Sequence, residues 1–195
     1  VTPDQKEALG VLSSSTEHLQ SLIDELLRFA YIAGGEMELD LKPHKLEDVL
    51  ERSYDRCLEK AKERNIDLQL DLPEELPVIR VDGEKLHLAL MQLLTNAIKF
   101  TPKESSVRIG GRYDGGSVIV FVKDNGIGIA GDKQDEIFEP FYQLDGTLAR
   151  QYGGMGLGLA MVKRIVEAHN SEIFVISSLG RGSCFEFSLP VEIRR

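Results

Sequence analysis

The chain has 195 residues, 42% of them hydrophobic and 28% charged, with a formal net charge of −9. That length and apolar share suit one packed domain plus a smaller appendage. The acidic balance argues against general nucleic-acid binding, which needs a basic surface, and no apolar run approaches the ~18 residues of a membrane helix. No signal peptide opens the chain, and Val1 falls mid-pattern, as expected of a piece of something longer. Cys57 and Cys184, the two cysteines, fall in a predicted helix and a predicted strand. They read as free, half-buried thiols of a reducing cytosol.

Residues 2–33 are expected to form one long helix. Thr2 suits its N-cap, Pro3 its first position, and Gln5 closes a capping box. Leu9, Leu12, Thr16, Leu19, Ile23, Leu26 and Ala30 alternate steps of three and four, a heptad seam with one polar interruption. Gly34-Gly35 ends it. The seam belongs either to an amphipathic helix packed on its own domain or, as the sharper reading, to a helical bundle or dimer.

A boundary at residues 36/37 opens a second unit. Leu39–Leu41 alternates as a strand, and residues 46–64 are helical. Ile66, Leu68 and Leu70 mark a half-buried strand, and Val78–Val81 is another. Gly83–Phe100 is helical, stopped by Thr101-Pro102. Val107–Tyr113 and Val118–Lys123 form a hairpin across Asp114-Gly115-Gly116. Roughly thirty polar, glycine-rich residues follow, too long for an ordinary connection and expected to be a functional lid. Gly156–His169 is helical, and Glu172–Ser178 with Ser183–Leu189 make a last hairpin. The expected class is α+β: a two-layer α/β sandwich with a mixed sheet and three helices, plus the long N-terminal helix.

Three segments carry chemistry. On the helix ending at Phe100, Gln92, Asn96 and Lys99 form a polar stripe beside the buried face. An amide oxygen suits Mg²⁺ and a lysine suits phosphate; a merely solvated stripe is the alternative. In the next strand Asp124 shares parity with Val118, Val120 and Val122, so it ends a buried face and needs a partner. An exocyclic amino group would serve, since a carboxylate accepts hydrogen bonds. Gly126 and Gly128 follow it, a pattern that elsewhere marks only a turn. The third segment is Gly153 through Leu159, a glycine-rich entry to a helix. Such an entry offers free N–H donors and a positive dipole end to an anion. No hydrophobic strand leads into it, as a dinucleotide-binding motif would require, and the P-loop lysine is missing. A flexible hinge is the remaining alternative.

In order along the chain, L-L-T-N-A-I-K-F-T-P, D-N-G-I-G-I, I-F-E-P-F, G-G-M-G-L-G-L and G-R-G-S-C-F-E-F resemble the asparagine, first glycine, phenylalanine and second glycine boxes and the closing hairpin of sensor histidine kinases. They also resemble, more widely, the gyrase, Hsp90 and MutL ATPases. The resemblance implies a Bergerat-type ATP-binding fold and Mg·ATP as the bound species. It makes Asn96 the Mg²⁺ ligand, and sets Lys99 and Arg150 against phosphate oxygens. Phe100 lies near the adenine, while Asp124 holds its amino group with Ser183 close by. Gly126, Gly128 and Ile129 belong to the first glycine box, and the backbone of Gly154, Gly156, Leu157 and Gly158 cradles the phosphates. Phe138 and Phe141 are implied to dock the lid, with plain core packing as the alternative, and Tyr142 to shield the nucleotide.

The N-terminal helix resembles the second helix of the dimerisation and phosphotransfer domain. The acceptor histidine of the family lies on the first helix, and no such motif occurs here; His18 has the wrong neighbours, and His44, His87 and His169 have no better claim. Two departures matter. Gln92 stands where the gyrase-like ATPases carry a water-activating glutamate, and an amide is no general base. Met155 replaces a common hydroxyl in the second glycine box. The implied function is transfer of the γ-phosphoryl group of Mg·ATP to a histidine elsewhere, in two-component signalling. The implied partners are the kinase's own dimerisation domain and a response-regulator receiver domain, with no nucleic acid and no direct membrane contact, in the cytoplasm. A steady ATPase, an anti-sigma-like serine kinase and a nucleotide-binding pseudokinase are the alternatives.

Overall fold

The structure, a computed structural model, describes residues 2–34, 37–72, 75–143 and 154–191. Helix α1 runs Pro3–Ala33. Its capping box forms as the sequence demands: the Gln5 N–H donates to Thr2 Oγ1 (3.3 Å), and the Thr2 N–H donates to Gln5 Oε1 (3.0 Å). Most of its seam faces solvent, since Leu9, Leu12, Leu19, Ile23 and Leu26 are exposed. Among its described side chains, burial is greatest in the last turns, with Leu22 half-buried further up. Ile32 is buried and Phe29 packs against the core.

The remaining elements are β1 (Lys42–His44), α2 (Leu46–Glu63), β2 (Asp67–Asp71), β3 (Ile79–Val81), α3 (Gly83–Phe100), β4 (Ser106–Tyr113), β5 (Ser117–Asp124), α4 (Gly158–Ala168), β6 (Ile173–Ser177) and β7 (Ser183–Pro190). Five strands make one mixed sheet in the order β2-β4-β5-β7-β6; β2 and β4 are parallel and the other pairs antiparallel. Helices α2, α3 and α4 cover one face. Val107, Ile109, Val118, Val120, Val122, Phe185 and Phe187 of the sheet meet Leu50, Leu86, Leu90, Leu93, Leu94, Met161 and Ile165 of the helices in one core. The other face is open, and there Arg112 pairs with Glu186 at 2.8 Å. The expected two-layer α+β sandwich is what the chain forms.

Two boundaries differ from the pattern reading. The strand expected at Leu39–Leu41 lies at Lys42–His44, paired antiparallel with β3. The N–H of Asp40 goes instead to the Asp82 carboxylate, at 3.1 Å, and so is not available to a ladder. Helix α4 starts at Gly158 rather than Gly156, because Gly156 has φ +73°, a left-handed conformation outside any right-handed helix. The lid opens with two short 3₁₀ turns, Gly131–Lys133 and Glu136–Phe138. Both cysteines are free, Cys57 buried and Cys184 half-buried. Among the described residues no helix is long and apolar enough to cross a membrane.

Candidate nucleotide site

The site begins with the placing of α3. Asp82 caps it, accepting from the Lys85 N–H at 3.0 Å. Its apolar face fills the core, which leaves Gln92, Asn96, Lys99 and Phe100 half-buried along one side. The start of α4 lies on that side. A Cβ added to Gly158 would sit 2.9 Å from Gln92 Oε1 and 4.0 Å from Asn96 Nδ2, and one added to Gly154 would sit 3.6 Å from Lys99 Nζ. The second glycine box therefore lies directly over the polar stripe, as the order of the motifs leads one to expect. Lys99 Nζ also stands 4.9 Å from the centre of the Phe100 ring.

The other end is built by the sheet. Asp124 ends β5 on its buried face, 7% exposed. Its Oδ1 accepts from the N–H groups of Gly126 (2.7 Å) and Ser183 (3.2 Å). No donor among the described residues reaches Oδ2. Burial pushes the carboxyl above its ordinary 3.8, against the pull of those two N–H groups. The first glycine box turns straight from Asp124 onto the end of α3, where the Ile127 N–H donates to the Phe100 carbonyl at 3.3 Å. Gly128, at φ +69°, packs so close to the Ser178 carbonyl that a Cβ would lie 2.0 Å from it. Only glycine fits there. Ile129 is buried and anchored by its N–H on Ser177 Oγ at 2.8 Å.

The two lid phenylalanines part company. Phe138 is core, edge-on to Phe185 at 6.2 Å. Phe141 is 62% exposed, holds φ +65°, and meets Phe29 of α1 edge-on at 6.4 Å. The lid's two roots are tied together. The Phe141 N–H donates to the Gly156 carbonyl (3.0 Å), and Gln143 Nε2 donates to the Gly154 carbonyl (2.9 Å). Tyr142 lies at this root near Glu136, whose carboxylate pushes the phenol pKa up. Arg150 and Gly153 lie outside the described residues.

Several supporting residues escape sequence reasoning. Ser177 and Gln134 join the first glycine box to the last hairpin; Gln134 Nε2 donates to the Ile129 (3.3 Å) and Ser177 (3.0 Å) carbonyls. His169 joins α4 to the cap of α3: its Nε2 accepts from the Asp82 N–H at 3.1 Å, so its Nδ1–H donates to the Ile165 carbonyl at 2.8 Å. Ser177 alone had a legible signal, since it shares parity with the buried Ile173. The whole arrangement places a buried acceptor where the first glycine box meets the C-terminal end of α3, and an amide, an ammonium and a helix N-terminus along α3 itself. That suits a ligand with an amino-bearing base and an anionic tail.

The family model described as Histidine kinase-, DNA gyrase B-, and HSP90-like ATPase matches residues 81–193, and so takes in every one of these groups. The chain belongs to this ATPase family. Among relatives of this ATPase domain, the circadian input-output histidine kinase CikA of Synechococcus elongatus is 37% identical over 192 residues, covering 97% of this chain and 26% of that protein. The alginate biosynthesis sensor protein KinB of Pseudomonas aeruginosa is 33% identical, covering 96% and 31%. The chain thus spans between about a quarter and a third of the length of these relatives. Full-length ShkA in complex with AMPPNP superposes with a TM-score of 0.84 at 34% identity, covering 97% of this chain and 39% of that one. The catalytic domain of the histidine kinase ThkA gives 0.68 at 25% identity, covering 79% and 96%.

Proposed function

We propose that this chain binds Mg·ATP between Asp124 and Asn96 and delivers its γ-phosphoryl group to a histidine on a dimerisation domain. The observation that carries the proposal is the convergence of a buried carboxylate, with one oxygen left for a ligand, and the α3 stripe beneath the N-terminus of α4. Asp124 Oδ2 accepts the adenine amino group, with Ser183 beside it. Phe100, Gly126, Gly128 and Ile129 wall the base. The backbone of Gly154, Gly156, Leu157 and Gly158 and the Lys99 ammonium face the phosphates, joined by Arg150 of the lid. Tyr142 and the lid close over the tail. AMPPNP bound to the relative ShkA supports a triphosphate ligand.

A Mg²⁺ ion fits this donor set. Among the described residues there is no cluster of three carboxylate, histidine or cysteine groups for a protein-built cage. A single half-buried amide, Asn96, suits an ion held chiefly by phosphate and water. Bound there, Mg²⁺ would neutralise charge on the phosphates. The protein's own part is positioning and electrostatic complement rather than covalent chemistry. Gln92, close to the helix start, supplies no base for water, and this favours transfer over hydrolysis.

Residues 1–36 are read as the second helix of a dimerisation and phosphotransfer domain, and 37–195 as the catalytic domain. The extent of the likeness supports that division, since the ThkA catalytic domain covers 79% of the chain and full-length ShkA 97%. The acceptor histidine and a receiver domain are the partners this reading requires, on the cytoplasmic side. Titration with ATP in Mg²⁺ tests it. Asp124→Ala and Asn96→Ala should each weaken binding at least tenfold, and label from γ-labelled ATP should pass to a supplied histidine-bearing helix domain but not to this chain. Wild-type affinity in both variants would sink the assignment.

A further inference from the structure

Asp124, Ser183 and Ser177 are opposed in register across β5, β7 and β6. Opposed residues of an antiparallel ladder share a face, so the three side chains form one polar row at the end of the buried side of the sheet. The row contains a hydrogen-bond constraint that fixes where each proton lies.

Ser177 Oγ has three neighbours: the Gly182 carbonyl oxygen at 2.8 Å, the Ile129 N–H at 2.8 Å and Ser183 Oγ at 3.0 Å. A hydroxyl has one proton and two lone pairs. The carbonyl only accepts, so it takes the Ser177 proton. The amide only donates, so it occupies one lone pair. The second lone pair is satisfied only if Ser183 donates to it. The single hydroxyl proton of Ser183 is therefore directed to Ser177 and not to a ligand, and its N–H is already directed to Asp124 Oδ1. What the row leaves for a ligand is acceptors alone: Asp124 Oδ2 and the lone pairs of Ser183.

We infer that Ser177 is a positioning residue for base selection, which holds the Ser183 hydroxyl as an acceptor and so favours a purine with an exocyclic amino group over one with a keto oxygen at that position. The inference rests on the proposed placing of the base at Asp124. Ser177 touches no ligand; it acts through Ser183. Removing its hydroxyl frees the Ser183 proton to turn toward a base held at Asp124 and donate to a keto oxygen. Ser177 also ties Ile129 and Gly182, but loss of those ties loosens the site for every nucleotide and does not by itself change a ratio between two.

The test is titration of the whole chain with ATP and with GTP, each in Mg²⁺. Ser177→Ala should narrow the ATP-over-GTP preference about three- to tenfold, the worth of one hydrogen bond. Ser177→Thr, which keeps a hydroxyl, should restore the wild-type ratio. The double variant Ser177→Ala with Ser183→Ala should lose the gain for GTP, because the donor is then absent. Should Ser177→Ala fail to fold, Ser177→Cys carries the same expectation with a smaller change. An unchanged ratio in the single variant, or an equal narrowing in the double one, overturns the inference while leaving the site itself standing. Undiminished ATP binding by Asp124→Ala overturns the site, and the inference with it.

Discussion

Asp124 carries a conflict between folding and binding. Its carboxyl sits above the ordinary 3.8 because it is buried. A raised carboxyl contributes stability that is fully present below the ordinary value and is lost as pH rises through the folded one. At neutral pH the ionised group therefore weighs against the fold. Asp124→Asn keeps an oxygen for the Gly126 and Ser183 N–H groups but offers N–H donors where an amino group should bind. The expected outcome is a melting temperature equal to wild type or higher by up to about 3 °C, with ATP affinity reduced at least tenfold; calorimetry and titration check the two halves. His169 has the opposite linkage. Burial lowers its pKa from 6.5, and its neutral ring joins two helices. Its contribution is present above 6.5 and lost as pH falls through the folded value. Replacing it with Phe should leave the Asp82 N–H unpaired, costing about 1–3 kcal/mol, and should flatten the acid limb of the stability profile below pH 6.5. An unchanged acid limb would assign that loss to other groups.

The elements show where pattern suffices and where it stops. The period of 3.6 in α3 set Gln92, Asn96 and Lys99 beside a buried face, and the period of 2 in β5 brought Asp124 to its end. Both placements follow from local geometry and were legible. Parity with Ile173 marks the side on which Ser177 lies, but not its role, because its partners include a backbone amide 48 residues away. The strand beginning at Lys42 was misplaced for a similar reason: the Asp82 side chain, distant in sequence, takes the N–H of Asp40. The start of α4 depended on a backbone angle that composition hides. At Gly156, φ is +73° and a Cβ would lie 2.5 Å from the Tyr142 carbonyl. Gly156→Ala should therefore force apart the two roots of the lid and cost about 1–3 kcal/mol. Amide exchange should quicken around Phe141 and Tyr142, with ATP affinity falling several-fold. Wild-type protection there would show that the roots are not coupled.

At the scale of the whole molecule, α1 is joined to the sandwich through very little of its length. Its exposed leucines neither support nor burden the core, while Ile32 is 4% exposed and belongs to the core cluster. Removing residues 1–26 should leave the melting temperature of the sandwich within about 2 °C of the full chain, whereas Ile32→Ala should lower stability by about 2–4 kcal/mol. A fall of equal size in both would place the anchor higher up the helix. The class of fold and the three covering helices were readable from the chain. The parallel pairing of β2 with β4 was not, since nothing local marks which strands become neighbours across a helix.

The ring of Phe29 rests on that of Phe141, and Phe141 donates to Gly156 at the far root of the lid. A turn of α1 about its own axis cannot carry Phe29 sideways off that seat alone, because Ile32, one helical turn on, is buried in the core and must move with it. The footing beneath Phe141 and the helix's own anchor are thus one fixture: a rotation of roughly 30° would shift both side chains by about 3 Å at the rim of a helix, so the contact is held in place by the core itself.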